Sequence, residues 1–205
     1  MQISALSKYK GFIFDLDGTL INSMPYHAKA WRQTSNEYGF DIDEQLIFDM
    51  GGASSLDIAL HLKNMGNPVD DPKSFVARKI QIFTEHIEEL EDFKSIQSIL
   101  IDAKKRGCKI AIGTGTREPN ALKILILKNL MCYVDALVTS ELVEKHKPHP
   151  DTFLLAAKKL GLKNDECVVF EDGQLGILAA INGGFDCVEV SQERIKNFYE
   201  IDRYN

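Results

Sequence analysis

The chain has 205 residues, 24 basic against 30 acidic, with 44% hydrophobic and 26% charged positions and a formal net charge of −6. That balance leaves no basic footprint for nucleic acid and no polybasic patch for an anionic membrane. No apolar stretch approaches the roughly 20 residues that span a bilayer, and a chain of this length can bury about 70% of its unfolded surface without disulfide or metal staples.

The four cysteines, Cys108, Cys132, Cys167 and Cys187, are scattered without zinc spacing, so reduced thiols are expected. Phe12–Phe14, which follows Lys8 and Lys10, is too short for the core of a secretory signal. A monomeric cytoplasmic protein is the expectation.

Taken in chain order, Gly11–Asp15 is the first apolar run, without alternation, as a strand covered on both faces requires. About 90 residues separate it from the next such run, Lys109–Thr114, whereas one parallel crossover needs only about a dozen. Within the gap, Pro25–Tyr38 places Tyr26, Ala30, Trp31, Thr34 and Tyr38 near one helical face. Lys73–Leu90 does the same with Val76, Ile80, Phe83, Ile87 and Leu90. Ser55 is placed to cap a helix over Leu56–Met65. Ser95–Arg106, stopped by Gly107, suffices for the crossover itself. Segment 21–92 therefore reads as an inserted helical module, and 1–20 with 93–205 as the core.

Beyond Lys109–Thr114 the chain alternates. Helix Glu118–Leu130 has Pro119 in its first turn, strand Ala136–Thr139 follows, and helix Asp151–Leu160 stops at Gly161. Strand Cys167–Glu171, helix Gln174–Ile181 closed by Gly183 and Gly184, and strand Asp186–Val190 complete it. This order predicts an α/β fold with a Rossmann-like parallel sheet core and an inserted α-helical cap. A module planted directly after the first strand overhangs that strand's carboxyl end, where open α/β sheets bind ligands.

Chemistry-bearing residues gather at the same strand ends. Phe12-Ile13-Phe14 runs into Asp15-Leu16-Asp17-Gly18-Thr19. Spaced i and i+2, Asp15 and Asp17 leave the strand toward the same side, and so apolar a run tolerates two carboxylates only if something charged compensates them. A strand fading into a polar turn at Gly18 accounts for Asp17 but not for both. Thr114 is flanked by Gly113 and Gly115, with Thr116 next, so backbone N–H groups can approach an anion there. Glu171-Asp172-Gly173 adds two acids after a fully apolar strand. Lys147, ahead of Pro148, adds an ammonium. Taken singly, Lys147 reads as a solvated lysine and Thr114 as a turn residue; together, four strand ends place acids, a hydroxyl and an ammonium on one rim. Hard carboxylates suit Mg²⁺, and metal plus lysine would neutralise a phosphate.

These segments, in this order, resemble the four motifs of the haloacid dehalogenase-like hydrolase superfamily across nearly the whole chain. Tyr26-His27-Ala28-Lys29-Ala30-Trp31, His146–Phe153 and Val168–Asp172 resemble its β-phosphoglucomutase-like group, nearest the fructose-1-phosphate/6-phosphogluconate phosphatase branch. The resemblance implies a Mg²⁺-dependent phosphatase acting on a small phosphorylated sugar, sugar acid or sugar alcohol through an aspartyl-phosphate. It makes Asp15 the nucleophile and Asp17 the acid and base. It gives the metal to Asp15, the Asp17 carbonyl, Glu171 and Asp172. Thr114, Lys147, Gly18, Gly115 and Thr116 would serve the phosphoryl group, and His27, Gly52 and Ser54 would reach the substrate. Asp17 argues against dehalogenation, since a departing halide needs no proton donor.

Two other readings stay open. His27 either contacts substrate or steers Asp17, against the plainer reading of a surface histidine; Trp31 is expected to pack rather than stack on substrate. A β-phosphoglucomutase needs a cationic clamp for a bisphosphate, best supplied by arginine, yet Gly51-Gly52-Ala53-Ser54-Ser55 stands in the corresponding loop. Arg78 or Lys79 on the neighbouring helix would then have to serve. A phosphotransfer receiver shares the acids, the hydroxyl and the lysine, but lacks the insertion and a counterpart of Asp17.

Overall fold

The computed structural model describes residues 3–202, so the first two and last three positions of the expected core lie outside the described residues. Strands β1 (Gly11–Phe14), β4 (Lys109–Gly113), β5 (Ala136–Val138), β6 (Cys167–Glu171), β7 (Asp186–Ser191) and β8 (Arg194–Tyr199) form one sheet in the order β5-β4-β1-β6-β7-β8. All neighbours pair in parallel except β7 with β8, an antiparallel edge. Strand β8 leaves no trace in the sequence pattern because none of its residues is buried and it carries no apolar run.

The unbroken apolar runs have a direct cause. On β1, Phe12 and Phe14 face one side with Ile110, Ile112, Val168 and Phe170, under Ile96 and Leu100 of α5 (Lys94–Lys105) and Ile124 of α6 (Glu118–Leu127). Ile13 faces the other side with Ala111, Val138 and Val169, under Phe153 and Leu160 of α7 (Asp151–Leu160) and Ile177 of α8 (Gln174–Asn182). With both faces covered, every position of β1 and of β6 is core. Phe14 and Phe170 stack across the strand pair, their ring centres 4.6 Å apart.

After β1 the chain forms the short strand β2 (Ile21–Asn22) and four helices: α1 (Met24–Glu37), α2 (Glu44–Asp49), α3 (Ser55–Asn64) and α4 (Pro72–Glu85). It returns through β3 (Glu91–Asp92), which pairs antiparallel with β2. The helices have a core of their own around Trp31, Ile47, Leu62 and Phe75; Trp31 is fully packed there.

Helix ends depart from expectation for local reasons. Helix α4 stops at Glu85, not Leu90, because the next turn tightens to a 3₁₀ turn over Ile87–Glu89. Tyr26 Oη then donates to the Glu89 carbonyl at 3.1 Å, and Lys128 to that of Leu90. Helix α6 stops at Leu127 because Asn129 turns left-handed at φ 55°. Helix α2 is too short for a period to announce it. The cap of α3 is Ser54, not Ser55: Ser54 Oγ accepts the Asp57 N–H at 3.1 Å and donates to Asp57 Oδ2 at 2.6 Å. Among the described residues no helix is long and apolar enough to cross a membrane, and all four cysteines are free.

Candidate active site

The carboxyl ends of β1, β4 and β6 open toward the four inserted helices. Asp15 continues β1 by one residue, its N–H donating to the Phe170 carbonyl at 2.9 Å. Its side chain is buried, and Lys147 Nζ donates to Asp15 Oδ1 at 2.6 Å and to Glu171 Oε1 at 2.5 Å. Burial raises Asp15 well above the usual carboxylate range; Lys147 opposes that, while Glu171, Asp172 and Asp17 add to it. Asp172 is pushed up to about 7, by burial first and then by the charge of Glu171. Burial works against the Lys147 ammonium, but Asp15 and Glu171 outweigh it and hold its pKa above the usual lysine range.

Two glycines shape this cluster. Gly18 sits at φ 82°, and a Cβ there would lie 2.1 Å from Asp172 Oδ2, so only glycine lets Asp172 close onto the loop. Thr19 Oγ1 completes the hold on Asp172 with a 2.9 Å bond to Oδ1. At Gly176, in the first turn of α8, a Cβ would meet Glu171 Oε1 at 1.9 Å. Glu171 folds back into that space, its Oε2 accepting the Gly173 N–H at 2.9 Å.

The residues present fit a small divalent cation. Asp15, Glu171 and Asp172 each offer an oxygen within 4.8 Å of the others. All three donors are hard, and their buried charge exceeds what Lys147 supplies, which is the environment Mg²⁺ relieves.

Asp17 is held differently. Its Oδ1 accepts from Ser23 Oγ at 2.7 Å and His27 Nε2 at 3.0 Å, and its Oδ2 from Thr116 Oγ1 at 2.7 Å and Thr114 Oγ1 at 3.2 Å. Burial disfavours its charge, but His27 and the Thr116 and Ser23 hydroxyls outweigh burial and hold it below the usual carboxylate range. Behind His27 stands Lys79, whose Nζ lies 2.7 Å from His27 Nδ1. An ammonium donating to Nδ1 leaves the proton of a neutral imidazole on Nε2, pointing at Asp17. Burial and the Lys79 charge keep His27 below its ordinary pKa, consistent with that neutral form. Lys79 is 3% exposed, packs over Trp31 and Phe83, and is brought down to about 7 by burial.

A cavity of about 60 Å³ brings together Asp15, Asp17, His27, Gly52, Thr114, Gly115 and Thr116, closed over by Met24, Ile47 and Met50. Other sequence candidates fall elsewhere. The Ser54 hydroxyl is turned to Asp57, and Ser55 lines the cavity in its place. The Gly18 N–H is taken by the Ile21 carbonyl at 2.8 Å and the Thr116 N–H by Thr114 Oγ1 at 2.9 Å, so neither amide points into open space. Arg78 is paired on the outside with Glu37 at 2.6 and 2.7 Å. The sequence offers Lys79 only as a stand-in clamp, and its place beside His27 is hidden there for a definable reason. The buried stripe of α4 is Phe75, Lys79, Ile82 and Phe83, with Val76 only partly buried, one residue round from the expected face. A lysine at i+4 from Phe75 and i−4 from Phe83 is the available signal. Ser23 and Gly176 carry no signal of their own.

A family model described as haloacid dehalogenase-like hydrolase matches residues 12–190. The chain is 34% identical over 184 residues to fructose-1-phosphate phosphatase YqaB of Escherichia coli (strain K12), covering 89% of this chain and 97% of that one. It is 33% identical over 187 residues to hexitol phosphatase A of the same organism, covering 89% and 83%. Among solved structures it is similar to β-phosphoglucomutase from Clostridium difficile, with a TM-score of 0.79 and 26% identity, over 88% of this chain and 84% of that one.

Proposed function

The chain belongs to the haloacid dehalogenase-like hydrolases, and from that premise we propose that it hydrolyses a small phosphorylated sugar, sugar acid or sugar alcohol through a phosphoenzyme formed on Asp15. In this reading segment 21–92 is a cap domain that roofs a core made of 1–20 and 93–205. The observation that carries the reading is the separation of two neighbouring acids. Asp15 is gripped by Lys147 inside the anionic cluster, and Asp17 is held ionised by four donors. Neighbouring carboxyls whose surroundings push them apart have distinct roles.

Asp15 attacks phosphorus opposite the ester oxygen, and the bond to that oxygen breaks as Asp17 delivers its proton there. The arriving phosphoryl dianion raises the proton affinity of Asp17, which takes up from solvent the proton that this half delivers. Once ionised, Asp17 takes a proton from a water; the water oxygen bonds to phosphorus and the bond to Asp15 breaks, restoring the carboxylate. Lys147 fixes the attacking carboxylate, and Thr114 and Lys147 bind phosphoryl oxygens. His27, backed by Lys79, holds Asp17 in position. Asp15, Glu171 and Asp172, with the Asp17 carbonyl, would hold Mg²⁺, which supplies positive charge against the phosphoryl oxygens when bound.

Asp15→Asn removes the attacking charge and keeps the shape, so phosphate release should fall by several orders of magnitude with folding intact. Asp17→Asn should still take phosphate from an activated aryl phosphate, then release it slowly. Phosphoenzyme trapped in the Asp15 variant would overturn the assignment. A mutase is the second reading, favoured by one observation: Lys79 places a buried cation on the cap side of the cavity. Incubation with β-glucose 1-phosphate and a trace of its bisphosphate separates the two. Glucose 6-phosphate forming faster than free phosphate would favour the mutase.

A further inference from the structure

The outer face of α7 is a surface that the proposed hydrolysis does not use. Phe153, Ala156, Ala157 and Leu160 turn inward and are buried. The side chains left outside on the same two turns are Asp151, Leu154, Leu155 and Lys158, at the i, i+3, i+4, i+7 spacing that makes one stripe of a helix. Leu154 is 37% exposed, and Leu142, across from it, is 48% exposed. With Val143 and Glu144 these residues line a shallow groove of about 350 Å³. Among the described residues Glu144, Asp151 and Lys158 form no ion pair and no side-chain hydrogen bond. An apolar groove rimmed by charges that nothing inside the chain answers is the mark of an association surface.

We propose that this groove docks a second copy of the chain, antiparallel across a two-fold axis that passes between Leu154 and Leu155. The charge pattern selects that occupant. The stripe carries its acid one turn before the leucines and its ammonium one turn after them, so reversed it is its own complement. A single axis then sets Asp151 of each copy against Lys158 of the other, and Leu154 of each against Leu155 of the other. That is the self-complementary form a two-fold interface requires. Parallel docking would instead set acid against acid and ammonium against ammonium. The monomer expected from the sequence becomes the dilute form of a reversible dimer.

Burial of the leucines supplies the attraction, and the ion pairs fix the register and exclude other alignments. Two helical turns and one flanking segment make a small interface, under the roughly 1,200 Å² at the low end of stable pairs. Association is therefore weak, with a dissociation constant on the order of 10–100 µM. The inference stands apart from the phosphatase reading, because none of these side chains lines the catalytic cavity.

Sedimentation equilibrium of the full chain, from about 1 to about 500 µM, tests it. The mass should rise with concentration from that of one chain, 23.1 kDa, toward twice that value. Asp151→Lys and Lys158→Asp should each weaken association about tenfold or more, because each sets like charges in register. Mixed in equal amounts, the two variants should pair with each other about as well as the parent chain pairs with itself, since every contact then joins opposite charges. No other face of the molecule predicts that cross-pairing. If a charge variant does not fold, Leu154→Glu, at a position already exposed to water, should by itself abolish the dimer. A parent chain that stays monomeric throughout, association that none of these changes weakens, or folded variants that fail to cross-pair would each overturn the proposal. So would a monomeric parent whose groove takes an amphipathic helical peptide, which gives the surface to a foreign partner.

Discussion

Replacing Gly176 by alanine puts two opposite effects against each other at one atom. Gly176 lies inside α8, where alanine is favoured by up to about 1 kcal/mol, less so near a helix start. On propensity alone the variant should be more stable. The structure reverses the sign, because the new Cβ would lie 1.9 Å from Glu171 Oε1 and 2.0 Å from its carboxyl carbon. Glu171 must then leave, giving up Lys147 at 2.5 Å and the Gly173 N–H at 2.9 Å. Overpacking costs about 1–3 kcal/mol, and a lost charged hydrogen bond about 1.5–3 kcal/mol. The net should be a loss of about 2 kcal/mol, read as a melting temperature lower by roughly 4–8 °C for a domain of this size. Because Glu171 also belongs to the acidic cluster, phosphate release at limiting Mg²⁺ should fall about tenfold or more and recover in part at high Mg²⁺. Thermal melts and a phosphate-release assay over a Mg²⁺ series check both. An alanine variant that melts higher with unchanged Mg²⁺ dependence would show that Glu171 does not occupy that space.

Three further outcomes follow from the charges. Asp172 is raised to about 7 from an unfolded value near 3.8, so the metal-free native state holds a proton that the unfolded chain has lost; its contribution is fully present below about pH 4 and is lost as pH rises to 7. Mg²⁺ at a hundredfold its dissociation constant should stabilise the protein by about 2.7 kcal/mol at neutral pH, and melts that ignore chelator and Mg²⁺ alike would count against a metal at this cluster. Lys79 is lowered to about 7 from 10.5, so over that interval the unfolded chain binds the extra proton and stability rises with pH; Lys79→Met should flatten the rise between pH 7 and 9, and equal slopes in urea unfolding of the two chains would refute it. His27→Ala removes the imidazole donor to Asp17 while leaving Ser23, Thr114 and Thr116; kcat should fall with the acid limb of its pH profile displaced upward, and a change in KM alone would instead make His27 a substrate contact.

Much of the site could be read from residues in order. Asp15, Asp17, Thr114, Glu171 and Asp172 stand at the ends of apolar runs, with Lys147 in the loop that follows another, and in a parallel sheet all such ends share one edge. The runs themselves are visible because both faces are covered. Elements with one wet face or little length left no such trace, as with β8 and α2. Ser54 shows a different limit. Two adjacent serines are equivalent as caps in sequence, and only the path of the loop chose which hydroxyl meets the Asp57 N–H and which residue lines the cavity.

What the chain order alone determined was the α/β sheet, the helical insertion after the first strand and the rim of acids, hydroxyl and lysine, because strand periodicity and strand polarity are local properties. The tertiary structure decided how those groups are charged. Lys79 reads as one more polar residue on a helix until α4 packs against α1 and places it behind His27, where burial draws it toward neutrality. Asp15 and Asp17, two residues apart with the same side chain, are driven in opposite directions: burial raises one, helped by Glu171 and Asp172 against the opposing Lys147, while His27 and Thr116 outweigh burial at the other. Ionisation depends on burial and on charges within a few ångströms, and it is the folding of the chain that brings them there.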